Sequence, residues 1–125
     1  MNLTPRLVII VTIAVCLPFV IAGAIYVENS KRHNCMFNIS NVQSAMRSYS
    51  SITGFGYDSD YGETNGLDGF LDRYEAEHGK LECPSGGEYS TYKGQRSPAK
   101  GVLYLRCSHP EHAPSEVEDG DWVKY

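Results

Sequence analysis

The chain has 125 residues, with 15 acidic and 11 basic side chains, a formal net charge of −4 and four cysteines. Once its apolar start is set aside, that length holds one modest domain rather than two. The basic residues are scattered and outnumbered, so they do not make the concentrated Lys/Arg surface that neutralises phosphates, and nucleic acid is excluded as a partner.

Leu7 to Val27 is an uncharged apolar run. Its 21 residues, at about 1.5 Å each, measure roughly 30 Å as a helix, the thickness of a bilayer core. It is therefore read as a membrane span, with Pro18 inside it removing one backbone donor and bending the helix. The competing reading is a secretory signal, with Met1 to Arg6 as its charged start and Ala22-Gly23-Ala24 as an Ala-x-Ala cleavage site. Against that, the apolar run continues through Ile25, Tyr26 and Val27. Cys16 lacks the small preceding residue of a lipid-attachment motif and reads as an apolar side chain facing lipid.

The remaining chain, residues 28–125, is the soluble domain. Lys31 and Arg32 follow the span while Arg6 and the free amine precede it, and the charge count alone favours a cytoplasmic C-terminus. The cysteines favour the opposite side, because a Cys83–Cys107 pair in a small domain is most simply a disulfide, which needs an oxidising compartment. The expectation is an exported C-terminal domain.

Cys35, Ile39, Val42, Met46 and Tyr49 recur at intervals of four, three, four and three, so they form one stripe of a helix that continues the span into water and reaches about Ser51. Lys31, Arg32, Asn34, Asn38, Ser40, Asn41, Ser44 and Arg47 occupy the other positions, and a folded cap should cover the stripe alone. From Thr53 to Gly66 glycines break the period, which predicts a loop. Asp58, Asp60 and Glu63 within it lack the spacing of a calcium loop. A short helix is predicted from Asn65 or Gly66, because Leu67, Phe70, Leu71 and Tyr74 repeat at helical intervals, with Gly79 ending it.

Gly87 to Tyr92 and Val102 to Cys107 read as strands joined across the polar stretch Lys93 to Gly101. A Cys83–Cys107 bond would close a loop of about 25 residues and add about 3.5 kcal/mol on the chain-entropy account. The same region offers a second chemistry: Cys83, Cys107, His109 and His112 are ligand types that zinc takes, in place of the disulfide. Cys35 reads as a buried small side chain on the stripe, with pairing to Cys83 or Cys107 left open. Trp122 falls in a final strand whose ring packs on the helix or anchors a partner.

A long helix that begins in the membrane, then Cys35-Met36-Phe37-Asn38-Ile39, then Cys83-Pro84-Ser85-Gly86-Gly87-Glu88-Tyr89 and finally Cys107-Ser108-His109-Pro110-Glu111-His112 together resemble the type IV pilin-like proteins and type II secretion pseudopilins of bacteria. The resemblance implies an α+β fold in which a long N-terminal helix packs against a small antiparallel sheet with one short extra helix. It also implies a bacterial inner-membrane location with the domain on the periplasmic or extracellular side, and partnership with other pilin-like subunits or secretion machinery as well as the lipid bilayer. Where that family carries Gly before a Phe-Thr-Leu-Ile-Glu start, this chain has Thr4-Pro5-Arg6-Leu7, and its first acidic residue is Glu28. Such a start suits a pilin-fold protein that stays in the membrane or a minor component that does not need the usual cut.

Nothing resembling Gly-x-Ser-x-Gly, His-Glu-x-x-His or a phosphate-cradling loop occurs. The expectation is a structural, non-enzymatic subunit with no small-molecule substrate and no cofactor, zinc being the alternative. The competing function is a tethered or secreted binding module, held by a disulfide or by zinc, that does not polymerise.

Overall fold

The computed structural model describes residues 5–54, 60, 67, 69–93, 97–114, 116–117 and 121–122. A helix of 48 residues, α1 (Pro5–Ile52), forms its axis. The apolar run and the amphipathic stripe are thus one uninterrupted rod, as the period predicts. No glycine or proline falls between Ala24 and Ile52, and Lys31 adds an exposed ion pair to Glu28 one turn earlier at 3.7 Å, which contributes a few tenths of a kcal/mol at most. Pro18 removes a single ladder hydrogen bond, and the helix continues on both sides of it.

The two halves of α1 differ in what covers them. Among the described residues none packs around the apolar half, and Phe19 and Tyr26 remain 75% and 76% exposed. It is a helix long and apolar enough to cross a membrane. At Cys35 the environment changes: Cys35, Ile39, Val42 and Met46 are fully buried and Tyr49 is half-buried. The predicted stripe is the face that the rest of the chain covers.

That cover starts with α2 (Phe70–His78), which places Phe70 against Tyr49 at 5.6 Å between ring centroids. The helix begins at Phe70 rather than at Asn65 or Gly66. Leu67 accepts a turn hydrogen bond from the Phe70 N–H at 3.1 Å, and Gly69 takes a left-handed conformation, φ 67°, that a helix interior does not tolerate. Leu67 is still buried, so its helical spacing from Phe70 reported a common core rather than a common helix. Gly79, φ 95°, ends α2 as expected, its N–H bonding the Glu75 carbonyl at 2.8 Å.

β1 (Tyr89–Thr91) and β2 (Leu105–Cys107) pair antiparallel, Tyr89 opposite Cys107 and Thr91 opposite Leu105. Both are shorter than the predicted strands, and each is preceded by a hydrogen-bonded turn: Gly86 N–H to the Cys83 carbonyl at 2.9 Å, and Val102 N–H to the Ala99 carbonyl at 3.0 Å. Leu103, Tyr104 and Leu105 are buried against α1, and Tyr104 meets Phe70 edge-on at 5.4 Å. Two side chains of α1 reach across to the incoming backbone. Gln43 accepts from the Tyr104 N–H at 2.8 Å and donates to the Val102 carbonyl at 3.3 Å, and Arg47 donates to the carbonyls of Pro98 and Ala99. They satisfy backbone groups that the short strands leave unpaired.

A 3-10 turn (Pro110–His112) follows, then β3 (Glu116–Val117) paired with β4 (Asp121–Trp122). Trp122 therefore does sit in a final strand; the packing of its ring lies outside the described side chains. Of the loop residues 55–66, only Asp60 is described, and it is exposed; the calcium reading, which also needs Asp58 and Glu63, falls outside the described residues. The α+β class and the helix-under-cap arrangement are present.

Truncating the fully buried Met46 to alanine should cost the cap about 2–5 kcal/mol. Ile13→Ala, in the exposed half, should leave cap stability unchanged. Urea melts of the chain in detergent, followed by tyrosine fluorescence, measure both.

Candidate metal centre

Four potential ligands from four separate pieces of chain converge beside α1. Cys35 comes from the buried stripe, Cys83 from the turn before β1, Cys107 from the end of β2 and His112 from the 3-10 turn. Their sulfur and nitrogen atoms all lie within 4.8 Å of one another, and all four residues are buried. His112 Nδ1 is 3.4 Å from Cys83 Sγ and 3.8 Å from Cys107 Sγ.

Each local segment is shaped to bring its donor inward. Cys35 is aimed by the helical stripe itself. The Cys83-Pro84-Ser85-Gly86-Gly87 turn closes over its own sulfur, with left-handed Gly86 at φ 75°, and the backbone N–H groups of Ser85 and Gly87 bond Cys83 Sγ. Gly87 is required for a second reason: a Cβ there would lie 2.6 Å from Cys107 Sγ, 2.7 Å from the His109 ring and 3.2 Å from Cys83 Sγ. The 3-10 turn, closed by the His112 N–H to the His109 carbonyl at 3.0 Å, points His112 inward and leaves His109 exposed.

The electrostatics follow from burial and these hydrogen bonds. Burial, together with the neighbouring thiols, pushes the Cys35 thiol up to about 12, against the hydrogen bond from Tyr89 Oη at 3.3 Å. Cys83 feels burial in the same direction, but the Ser85 and Gly87 amides and the adjoining thiols outweigh it and hold its thiol below the usual value. Burial, then the nearby His109, lowers His112, which favours the neutral imidazole. Asn38 donates to Tyr89 Oη at 3.4 Å, so Cys35 is fixed by a two-step hydrogen-bond chain.

The sequence placed Cys83, Cys107 and His112 in one set, and the structure brings them together. It replaces His109 by Cys35. His109 lies against the outside of His112, ring centroids 4.9 Å apart, and contributes no atom to the cluster. Cys35 is 48 positions from Cys83, and its signals in the sequence were that the covered stripe starts with a cysteine and that this cysteine could pair with Cys83 or Cys107. Cys83 and Cys107 are free thiols in this structure, as are Cys35 and the exposed Cys16. The arrangement can act chemically as a soft, closed donor set of three sulfurs and one nitrogen. It contains no carboxylate and no exposed nucleophile. No protein-family model, curated protein or solved structure matches this chain.

Proposed function

We propose that this chain is a membrane-anchored structural subunit, non-enzymatic, which works by lateral association in the manner of pilin-like and pseudopilin proteins of type IV pilus or type II secretion assemblies. In this reading it belongs to a bacterial inner membrane, with its cap on the periplasmic side. The observation that carries the proposal is the single 48-residue α1, bare and apolar over its first half and capped over its second. Such a rod lets identical chains pack their apolar halves side by side while the caps are held at one height above the bilayer. The exposed Phe37, on α1 beyond the span, adds an apolar contact point at the level of the cap.

The Thr4-Pro5-Arg6-Leu7 start favours a second reading, a tethered module that never polymerises, since it lacks the glycine and the early glutamate on which pilin processing and register depend. Cys16 separates the two. It is exposed within the apolar half, whereas the other three cysteines are buried. Oxidative cross-linking in intact membranes should give a Cys16-dependent dimer that Cys16→Ser abolishes, and adding Ile10→Cys should extend it to a ladder. A monomer under all these conditions selects the tethered module.

A further inference from the structure

We infer that Cys35, Cys83, Cys107 and His112 bind one structural zinc ion that fastens the cap to the helix leaving the membrane. This goes beyond the association proposed above and holds whether or not chains associate.

The donor set decides which cation. Hard cations such as calcium and magnesium take oxygen ligands, and this cluster offers none. Three sulfurs and one imidazole nitrogen form one of the closed combinations that zinc takes in structural sites. Spacing agrees with that choice. With Zn–S near 2.3 Å and Zn–N near 2.0–2.1 Å, the sulfur-to-nitrogen edge of a tetrahedron is roughly 3.5–3.6 Å. The Cys83 and Cys107 sulfurs, at 3.4 and 3.8 Å from His112 Nδ1, bracket it, and the four donor atoms all lie within 4.8 Å of one another, so that a small inward shift of the widest pair closes the shell.

Burial decides between a structural and a catalytic metal. A catalytic zinc keeps one position open to water or substrate. Here the four ligand residues range from 0% to 7% exposed, so the shell is complete and closed. A disulfide is the competing use of the same atoms. Any one disulfide consumes two of three converging sulfurs and strands the third, with His112, inside the protein. Zinc uses all four.

The surroundings suit a charged cluster. Three thiolates around a divalent ion carry a net single negative charge. The Ser85 and Gly87 N–H groups and Tyr89 Oη direct donors at Cys83 and Cys35, which is how outer-shell partners hold metal ligands in place. Binding displaces the thiol protons to solvent, and no oxidant or reductant is involved. The site also ties the turn before β1, the end of β2 and the 3-10 turn to α1 at one point, in addition to the apolar core, where the two described sheets have two strands each.

The full chain, purified in detergent under non-reducing conditions without chelator, should contain one zinc per chain by elemental analysis. Replacing zinc by cobalt should give the visible bands of a tetrahedral ion together with sulfur-to-cobalt charge transfer. Cys35→Ser and His112→Ala should lose the metal, while His109→Ala and Cys16→Ser keep it. The cobalt spectrum of the unaltered chain reads the thiolate ligation even where a variant fails to fold. A metal-free chain two hydrogens lighter, with Cys83 and Cys107 in one linked peptide, overturns the inference. So does zinc that survives Cys35→Ser in a folded chain and is lost in His109→Ala. Neither result bears on the Cys16 cross-link, so failure here is distinguishable from failure of the associating subunit.

Discussion

Gly87→Ala should destabilise the cap by about 3 kcal/mol, the range expected when a methyl group is forced into filled space. Its neighbour Gly86→Ala should cost only about 1–2 kcal/mol. The two glycines are needed for different reasons. Gly86 has a left-handed φ of 75° but open space where a Cβ would go, so alanine there meets backbone strain alone. At Gly87 the new Cβ would lie 2.6 Å from Cys107 Sγ and 2.7 Å from the His109 ring, inside contact distance of both. His109 is exposed and can swing away, but Cys107 is fixed at the end of β2 opposite Tyr89. Relief must therefore come from moving a sulfur out of the cluster. Two measurements check this: denaturant midpoints for the pair, and the rate at which Cys83 and Cys107 react with an alkylating reagent. Faster labelling in Gly87→Ala than in Gly86→Ala supports the close-approach account. Equal midpoints and equal labelling would sink it.

The rod was legible in the sequence because it is governed by local rules. A long uncharged run must be covered by lipid or protein, and a three-four repeat must put Cys35, Ile39, Val42 and Met46 on one face. Both statements need only the spacing along one helix. The cap was legible in kind but not in extent. Leu67 shares the helical spacing of Phe70 and Tyr74 yet stands outside α2, because left-handed Gly69 intervenes; burial alone does not distinguish a helix turn from a loop that folds onto the same core. The second strand shortened where backbone groups found a side-chain partner instead of a neighbouring strand, the Val102 carbonyl and the Tyr104 N–H both bonding Gln43.

The site was half legible, for a physical reason. Cys107, His109 and His112 are close in sequence, and proximity along the chain made His109 look like a ligand. A 3-10 turn has about three residues per revolution, so His112 closes a hydrogen-bonded turn on the carbonyl of His109, and here the two rings separate into an inner and an outer layer. Cys35 was read first from its helix, where a buried cysteine behaves as a small apolar side chain, with a bridge to Cys83 or Cys107 left open but no place in the zinc set. Only the docking of the cap on α1 places its sulfur beside two others, and that pairing of distant segments has no signature in the spacing.

Removing the metal should lower the melting temperature of the cap by roughly 10–30 °C. The size follows from linkage. A ligand that binds only the folded state, at a free concentration about 100 to 1,000 times its dissociation constant, adds about 2.7–4.1 kcal/mol. Each kcal/mol shifts the midpoint of a 60–100-residue domain by about 4–8 °C. The effect should be confined to the cap. The apolar half of α1 contributes no residue to the cluster, and in an apolar environment such as detergent its helical hydrogen bonds persist whether or not metal is bound. Heating the full chain in detergent with and without a strong zinc chelator should therefore show loss of the tyrosine signal from the cap at the lower temperature, with most helical circular dichroism retained. Limited proteolysis should cut within residues 83–112 only after chelation. Restoring zinc should restore both midpoint and protection, and restoring magnesium should restore neither. A cap that melts at one temperature regardless of chelator would mean that Ile39, Met46, Phe70 and Leu105 hold it unaided, and that the four converging donors add nothing to its stability.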